Sequence, residues 1–487
     1  MKKYIKINQN DNVAVALTSL EKGCEVDGIT AIDYIPSGHK IALCDIKNGE
    51  KVIKYSSVIG IASKDIKAGE HIHSHNLKTA LSGKQDYTYS GEYEYKTNPT
   101  GKTFDGYLRA DGRVGIRNSI FILPTVGCAG DAAVKIAAAA REKLPEADTH
   151  VFTHPYGCSQ LGDDAAKTAQ CIAALSRHPN VGGALIVSLG CENNNLDYLA
   201  PFLGEYDKSR IKTLVLQQCG DEIEEGVCAV KEIYDVVKTD KRTPQPLSAL
   251  RVGFKCGGSD GFSGITANPL CGKLSESLTN EGAGVILTEV PEMFGAEQYL
   301  FDRCKDKTVF EKAVNMINSF KDYFISHNQP VYENPSPGNK EGGITTLEEK
   351  SLGCITKGGQ CAVTDVLEMY DECTSKGLSL LNGPGNDIVS VTNLACSGAV
   401  MVLFTTGRGT PLGGPVPTLK VSTNNDLYKR KPHWIDYNAG VLLTDGSFQN
   451  SLDELEQLVI ETACGKKTAN EINGCEQIAV FKDGVTL

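Results

Sequence analysis

Cysteines stand where several apolar, strand-like runs of the sequence end, and thiols in such positions can bind a soft metal. The runs are SIFILPTVGC, HVFTHPYGC, GALIVSLGC, IKTLVLQQCG and LRVGFKC, and they are closed by Cys128, Cys158, Cys191, Cys219 and Cys256. In an open parallel sheet the carboxyl ends of the strands share one edge, so these thiols can converge there although they are far apart in sequence. Three or four thiolates are enough for a soft metal ion or an iron–sulfur cluster.

The alternative for each cysteine is burial as a small apolar side chain, which is common for a free thiol. We expect that role for the scattered cysteines, among them Cys24, Cys44, Cys171, Cys228 and Cys271. No CxxC occurs in the sequence, which argues against a zinc ribbon or a ferredoxin-type run.

Histidines alternate in the segment HIHSHNL, which places His71, His73 and His75 on one face of an extended strand. His39, in SGHK, can lie beside them on a neighbouring strand. Imidazoles bind metals and transfer protons near neutral pH. The alternative is a solvated polar edge. HExxH is absent, which argues against a zinc protease.

Polar, glycine-rich loops follow other strand-like runs and suit an anionic, hydroxylated ligand. KCGGSDGFSGITANP (255–269) lets backbone approach a small polar molecule closely, and the arginine of VLFTTGRGTPLGGPVP suits bidentate binding of a carboxylate. The candidate substrate-binding residues of these and similar loops are Arg113, Arg117, Ser259, Asp260, Thr266, Asn268, Asn339, Lys340 and Arg408. LTEVPEMFGAE adds Glu289 and Glu292 as oxygen ligands or a base.

A nucleotide site is the rival interpretation of these loops. GRGTPLGG does not match GxGxxG, however, and GxxxxGK[ST] does not occur. Each loop alone can also be a tight turn, and it is their joint position at strand ends that favours a binding site.

Composition narrows the class of protein. The chain has 487 residues, too many for one core, so two or three domains are expected. A net charge of −11 argues against nucleic acid or an anionic membrane as the partner. No run of 18 apolar residues and no export signal occurs, so the 17 cysteines are predicted to be reduced and the protein to be cytoplasmic.

The order of strand-like and helix-like segments predicts an α/β multidomain protein. Residues 1–83 read as a small all-β domain, and residues 84–106, rich in Tyr, Gly and Thr, read as an extended linker. Residues 107–240 repeat a strand–helix unit, which implies a parallel sheet. TDKRTPQPLS (239–248) reads as a proline-bearing hinge before a second β/α domain at 248–487.

Longer motifs then carry a family likeness. YLRADGRVGIRN, HPYGCSQ, SLGCENN, KCGGSDGFSGITANP, NPSPGNKEGG, EKSLG and FTTGRGTP together resemble the altronate and galactarate dehydratase family, and the overall length is most similar to its altronate branch. The likeness implies an N-terminal SAF or β-clip domain, a middle domain used for dimerisation and a Rossmann-like C-terminal catalytic domain. It also implies loss of a proton beside a carboxylate and of the β-hydroxyl, giving a 2-keto-3-deoxy acid.

The resemblance further implies roles for single residues. Iron, as Fe²⁺ or as an iron–sulfur cluster, is expected at Cys128, Cys158, Cys191 and Cys256. The candidate catalytic residues are His39, His73, His75 and Glu289. The family commonly lacks a histidine at position 71, so His71 receives no role. The linker would let the β domain act as a lid that carries the histidines.

Other functions stay open at this point. The substrate can be galactarate or another hydroxy acid, including a sulfonated one, instead of D-altronate. A sugar-acid-binding protein without turnover is a second class, and a nicotinamide oxidoreductase is disfavoured by the missing fingerprint. The expected partners are a small sugar acid and a second copy of the chain, with neither nucleic acid nor membrane.

Overall fold

The N-terminal domain is built from short antiparallel strands. The computed structural model describes residues 3–81, 83–444 and 446–487. Its first nine strands are β1 (Tyr4–Ile5), β2 (Val13–Ala16), β3 (Glu25–Val26), β4 (Ile29–Thr30), β5 (Lys40–Ala42), β6 (Lys51–Lys54), β7 (Ser57–Ala62), β8 (His71–Ile72) and β9 (Leu77–Lys78). They form sheets in the orders β1-β2-β5-β8, β3-β4 and β6-β7-β9. No helix interrupts the described residues of this domain, as the all-β prediction requires.

The middle domain contains a parallel sheet between helices. Its strands are β10 (Thr103–Leu108), β11 (Val114–Gly115), β12 (Ser119–Pro124), β13 (Thr149–Val151), β14 (Val181–Ser188), β15 (Ile211–Val215) and β16 (Thr243–Pro246). Its helices are α1 (Gly130–Lys143), α2 (Asp164–Ser176), α3 (Leu196–Leu203) and α4 (Glu222–Val237). The parallel sheet has the order β13-β12-β14-β15, and β14 is buried along its whole length. The repeated strand–helix unit is therefore confirmed.

The predicted linker and hinge contain strands in the structure. Residues 83–102 have neither helix nor strand, but β10 begins at Thr103 and pairs antiparallel with β16, inside the predicted hinge. The linker itself lies against the third domain, where the Tyr87 hydroxyl donates to Glu297 (3.0 Å) and the Thr100 backbone N–H to Glu281 (3.0 Å). The linker is thus held against the third domain by hydrogen bonds from both its side chains and its backbone.

The third domain is built on a seven-stranded sheet. Its strands are β17 (Arg251–Cys256), β18 (Gly284–Leu287), β19 (Val363–Leu367), β20 (Gly377–Leu381), β21 (Met401–Thr406), β22 (Thr418–Ser422) and β23 (Tyr437–Asn438). Its helices are α5 (Ala267–Asn280), α6 (Glu297–Phe301), α7 (Lys307–Ser326), α8 (Pro337–Glu341), α9 (Leu347–Cys354), α10 (Asp387–Cys396), α11 (Asn425–Arg430), α12 (Phe448–Ala463) and α13 (Ala469–Ile472). Every pairing in the sheet order β19-β20-β18-β17-β21-β22-β23 is parallel.

Both faces of this sheet are buried, as expected of an all-parallel sheet. Along β21, Met401 and Leu403 belong to the core that includes α5 and α12, whereas Val402 and Phe404 belong to the core shared with α10 and α2. The second and third domains therefore pack through a common apolar core. Across the three described ranges, no helix is long and apolar enough to cross a membrane.

Candidate active site

A cavity of about 820 Å³ opens at the carboxyl ends of β20, β18, β17 and β21. From β17 the chain continues to β18 on one side of the sheet, whereas β21 and β22 lie on the other side. The strand order therefore reverses between β17 and β21. In open parallel sheets, ligands bind at such a topological switch point. Segments that follow these four strands line it, namely 256–258, 291–292, 384–388 and 410–412.

Two thiols and a carboxylate meet at the wall of this cavity. Glu292 Oε2 lies 3.0 Å from the sulfurs of both Cys256 and Cys354, and the two sulfurs lie 3.3 Å apart. All three residues are buried. Within the described part of the chain, they form the one set of three or more Cys, His, Asp or Glu ligand atoms lying within 4.8 Å of one another. The structure thus has a Cys/Glu group that can hold a metal ion.

Three buried lysines surround this group. Lys350 Nζ lies 2.7 Å from Glu292 Oε1, and Lys357 Nζ lies 3.0 Å from the sulfur of Cys256. Lys255 contacts Glu289 Oε1 at 3.1 Å and also pairs with Asp387 at the cavity wall. Ammonium groups this deeply buried need partners, and each lysine has an acidic one.

Burial and the neighbouring lysines shift the pKa values of the two glutamates in this region in opposite directions. Burial acts to raise the pKa of Glu292, but Lys350 and Lys357 outweigh it and lower the pKa to about 2. Burial raises the pKa of Glu289 well above its ordinary value. The hydrogen bond with Cys354 lowers the pKa of Cys256 to about 7, against the opposing effect of burial. The site therefore combines a permanent carboxylate, a carboxyl group that holds its proton more tightly and a thiol that ionises near neutrality.

The backbone at Glu289 is shaped for this site. Glu289 follows β18 and has a φ of 72°, in the left-handed region that a non-glycine residue rarely adopts. Its Oε2 accepts a hydrogen bond from the backbone N–H of Cys256 (2.8 Å). The strained turn thus brings a carboxyl group beneath the end of the neighbouring strand, a placement typical of functional sites.

Helix α9 connects this site to the N-terminal domain. All eight of its residues are buried. Glu349 accepts from Lys40 (2.8 Å) and Lys54 (2.9 Å), both strand residues of the N-terminal domain, while Lys350 and Cys354 contact Glu292 on the cavity side. Glu348 accepts a hydrogen bond from Thr79 (2.9 Å). One helix thus contacts both domains.

The predicted histidines form a cluster where the N-terminal domain meets α8. His39 Nε2 donates to the Glu341 carbonyl (3.1 Å), and His73 Nε2 donates to the Lys340 carbonyl (2.8 Å). His39 Nδ1 then accepts from His71 Nε2 at 3.0 Å, and the ring of His75 lies 5.6 Å from that of His71. The cluster does not line the cavity. A catalytic role for His39, His73 and His75 stays a prediction.

Most of the predicted loop residues hold the loops together. Asp260 accepts from Thr423 (2.9 Å) and Asn424 (3.0 Å), and burial raises its pKa. Thr266 donates to the Thr423 carbonyl (2.8 Å), and Asn268 donates to the Gly353 carbonyl (2.9 Å). These side chains are buried and engaged within the protein.

Of the predicted substrate-binding residues, Asn339 lines the cavity. Its side chain donates to the Ser259 carbonyl (2.9 Å) and accepts from Lys350 (3.2 Å). Lys340 presents its carbonyl to the histidine cluster, and Arg408 pairs with Glu341 (2.7 Å) outside the cavity. Asn339 is thus the predicted loop residue best placed to meet a ligand.

Arg113 and Arg117 lie elsewhere. Arg113 pairs with Asp111 (2.6 Å) and Glu372 (3.1 Å), and Arg117 pairs with Glu471 (2.7 Å) between the second and third domains. Neither residue lines the cavity described above. Their guanidinium groups join parts of the chain, and substrate binding by them stays a prediction.

Among the predicted metal ligands, the structure separates Cys256 from the other three. Cys128, Cys158 and Cys191 lie beyond strands of the middle sheet, and among the residues described they form no close ligand group with Cys256. Lys350, Lys357 and Cys354 were not predicted as site residues. The one available signal was the pair of lysines and the cysteine in EEKSLGCITKG, four residues after the polar loop NPSPGNKEGG.

A parallel sheet with a cavity at its switch point, walled by buried acid, thiol and ammonium groups, defines an α/β enzyme. Family models match nearly the whole chain: an altronate/galactarate dehydratase SAF domain at residues 2–80, a D-galactarate dehydratase/altronate hydrolase second domain at 106–238 and a D-galactarate/altronate dehydratase C-terminal domain at 247–486. The chain belongs to the altronate and galactarate dehydratase family and is a hydro-lyase.

Curated relatives agree over the full length. An altronate dehydratase of Bacillus subtilis is 50% identical over 100% of both chains. An altronate dehydratase of Escherichia coli is 48% identical over 99% of this chain and 100% of its own. A galactarate dehydratase (L-threo-forming) of Escherichia coli is 33% identical over 98% of this chain and 96% of its own.

Proposed function

We propose that this protein dehydrates a sugar acid, with D-altronate as the substrate and a 2-keto-3-deoxy acid as the product. One structural observation supports a monocarboxylate in particular. Among the described residues that line the cavity, Lys350 is the one cation, and it stands with Glu292, Glu333 and Asp387. A dicarboxylate such as galactarate would place a second negative charge near these acidic groups without a second partner.

The chemistry needs both a base and help for the leaving group. A proton beside a carboxylate is weakly acidic, and hydroxide leaves poorly, so a positive group on the substrate lowers the cost of both steps. Lys350 and Asn339 reach the cavity from one side and are suited to bind the substrate carboxylate and a hydroxyl. Their mutual hydrogen bond (3.2 Å) fixes their relative position before a substrate arrives.

The proposed path for the abstracted proton begins at Asp387. Its carboxylate lines the cavity and pairs with Lys255, whose ammonium group also contacts Glu289. Burial raises the pKa of Glu289 well above its ordinary value, so this carboxyl group holds a proton more tightly than an exposed one does. We assign proton acceptance to Asp387 and support of that step to Lys255 and Glu289. Of the four catalytic residues predicted from sequence, Glu289 is the one within this network.

The donor set at Cys256, Glu292 and Cys354 fits ferrous iron. Separations of 3.0–3.3 Å between ligand atoms are those of donors around one ion, and thiols with a carboxylate are a donor set for a divalent transition metal. Iron bound there would supply Lewis-acid polarisation of the substrate oxygens.

The test is release of keto acid from D-altronate by the purified protein under anaerobic conditions, with and without ferrous iron. We expect turnover that follows iron content, and slower turnover of D-galactarate. Cys354→Ser should lower both iron binding and turnover, whereas the control Cys396→Ser, also buried but outside the site, should not. No turnover of either acid by the iron-loaded protein would refute the proposal.

We also propose that the protein acts as a homodimer through its middle domain, as the family resemblance implies. Light scattering on the purified protein tests this directly. A mass near twice 52.3 kDa is expected, and a monomer at assay concentration would refute it.

A further inference from the structure

Segment 476–487 follows α13 and runs along one side of the cavity onto the middle domain. Its first eight residues form neither helix nor strand, and their backbone N–H groups donate to other parts of the chain. That of Gln477 donates to the Gly413 carbonyl (3.1 Å), and that of Phe481 donates to the Tyr370 hydroxyl (3.1 Å). The segment is therefore held in place although it belongs to no sheet.

Asp164 holds the far part of this segment. This residue lies on α2 of the middle domain and is 2% exposed. Its Oδ1 accepts from the backbone N–H of Asp483 (3.0 Å), and its Oδ2 accepts from that of Gly484 (2.8 Å). Hydrogen bonds to a carboxylate are stronger than those between neutral groups, so the segment is fixed firmly on the middle domain.

The side chains of the segment divide between the core and the cavity. Ile478 and Val480 are buried in the apolar core that the second and third domains share. Gln477 and Phe481 line the cavity instead. The ring of Phe481 lies 6.1 Å from that of Tyr323, which also lines the cavity. The segment thus contributes an amide and an aromatic ring to the cavity wall.

Two groups of the proposed reaction lie after adjacent strands of the sheet. Lys350 contacts Glu292, which follows β18 (2.7 Å). The Asp387 carboxylate lies against Gly257, which follows β17, since a Cβ placed on this glycine would be 2.6 Å from both carboxylate oxygens. Because β18 and β17 are neighbours, a substrate bound by its carboxylate at Lys350 extends past Asp387.

The next strand in the same direction is β21, and Gln477 lies beside the segment that follows it. This segment includes Gly413, whose carbonyl accepts from the Gln477 backbone. Neighbouring strands are about 4.8 Å apart, so β18 and β21 are separated by about 10 Å, a span suited to an extended six-carbon acid. The end of the substrate away from its reacting carboxylate is thereby directed toward Gln477 and Phe481.

The cavity wall at this end is uncharged. Its described lining residues are Thr410, Pro411, Leu412, Gln477 and Phe481. A carboxamide both donates to and accepts from a hydroxyl group, and an aromatic ring covers the carbon-bound hydrogens beside it. A carboxylate placed here would lose its water without gaining a cationic partner, which is costly.

We propose that Gln477 and Phe481 form the subsite for the hydroxymethyl end of the sugar acid and select this end over a second carboxylate. The inference rests on the proposed function and adds to it the residues that determine specificity. Gln477 supplies hydrogen bonds to the terminal hydroxyl, and Phe481 keeps water from the adjoining carbons. Selection of a monocarboxylate thus depends on a segment that the middle domain holds in place.

Gln477→Arg tests this selection, because a guanidinium group at the subsite pairs with a terminal carboxylate. The ratio of kcat/KM for D-altronate to that for D-galactarate should fall at least about tenfold, through loss on the first acid and gain on the second. The matched control is Gln449→Arg, an exposed residue of α12 outside the cavity, which should keep the wild-type ratio. A folded Gln477→Arg variant with the wild-type ratio would overturn the subsite.

A second variant removes the hydrogen bonds without adding a charge. Gln477→Leu should raise KM for D-altronate about tenfold and should not improve turnover of D-galactarate. Thermal unfolding of each variant distinguishes a changed subsite from loss of the fold. An unchanged KM in the folded variant would remove Gln477 from the subsite.

Calorimetric binding of the two acids separates this proposal from the proposed function. Tighter binding of D-galactarate by Gln477→Arg than by the wild type, with no keto acid released by either protein, would support the subsite and overturn the proposed function. Turnover of D-altronate by both proteins with the same preference between the acids would overturn the subsite alone.

Discussion

Lys350 and Cys354 lie one turn apart on α9 and contact the two oxygens of a single carboxylate, that of Glu292. Residues four apart on a helix face the same side, so one short helix delivers both an ammonium group and a thiol to the cavity wall. The same helix is held on its other side by Lys40 and Lys54 of the N-terminal domain. Placement of the site groups thus depends on interdomain contacts.

Replacement of Lys350 by methionine should lower kcat/KM for the sugar acid by about 100-fold, because the cavity loses its cation and Glu292 loses its nearest partner. Steady-state keto-acid release measures the effect. Lys429→Met, an exposed lysine of the same domain, serves as the control and should leave kcat/KM unchanged. Unaltered kinetics in Lys350→Met would remove Lys350 from the substrate-binding site.

Glu349→Gln should destabilise the protein by about 3 kcal/mol, because two buried lysines lose their counter-charge. Burial already lowers the pKa of Lys40 to about 8, so this lysine should lose its proton in the variant and limit the cost. Urea unfolding measures the change. Glu341→Gln removes an exposed ion pair with Arg408 and should cost less than about 1 kcal/mol. Equal effects of the two substitutions would contradict the role of Glu349.

Stability should fall as the pH drops from about 6.5 toward 4, because of the histidine cluster. Burial lowers the pKa of His39 to about 4 and that of His71 to about 3, below the value of about 6.5 in an unfolded chain. The unfolded chain then binds protons first, so the contribution is fully present above about pH 6.5 and is lost as the pH falls. Urea unfolding of His71→Gln should show a weaker dependence in this range, and His327→Gln the wild-type one.

His150 should act in the opposite direction at alkaline pH. Burial acts to lower its pKa, but hydrogen bonds with Asp148 and Glu476 outweigh it and raise the pKa to about 9. Its charged form therefore stabilises the fold fully below about pH 6.5, and the contribution, on the order of 2 kcal/mol, is lost as the pH rises through 9. Unfolding of His150→Gln from pH 6 to 10 checks this. A decline as steep as that of the wild type would show that another group titrates.

The sequence predicted those features that depend on neighbouring residues. The apolar run LRVGFKC correctly predicted a strand that ends at Cys256, and the carboxyl ends of parallel strands meet at one edge of the sheet. The small all-β domain and the strand–helix repeat were predictable because the alternation of apolar and polar residues within each segment depends on its local structure.

The rest of the site depends on contacts that periodicity does not record. LEEKSLGC has the composition of a charged, solvated helix, yet all of α9 is buried because the N-terminal domain covers it. Because this burial depends on another domain, the sequence did not indicate Lys350 and Cys354 as site residues. Arg113 and Arg117 lie outside the cavity, where they pair with Glu372 and Glu471. Those partners are far away in the sequence, so local patterns did not indicate the pairings.

The pairing of Lys40 with Glu349 also dictates an order of events during synthesis. The two residues are 309 positions apart, so at roughly 10 residues per second the N-terminal domain leaves the ribosome about half a minute before its docking surface exists. Over that interval Lys40 and Lys54 are solvated ammonium groups, and their burial with Glu349 is a late step of maturation. An enzyme assembled in this way fixes the position of α9, and of the site residues on it, only after its third domain has been translated.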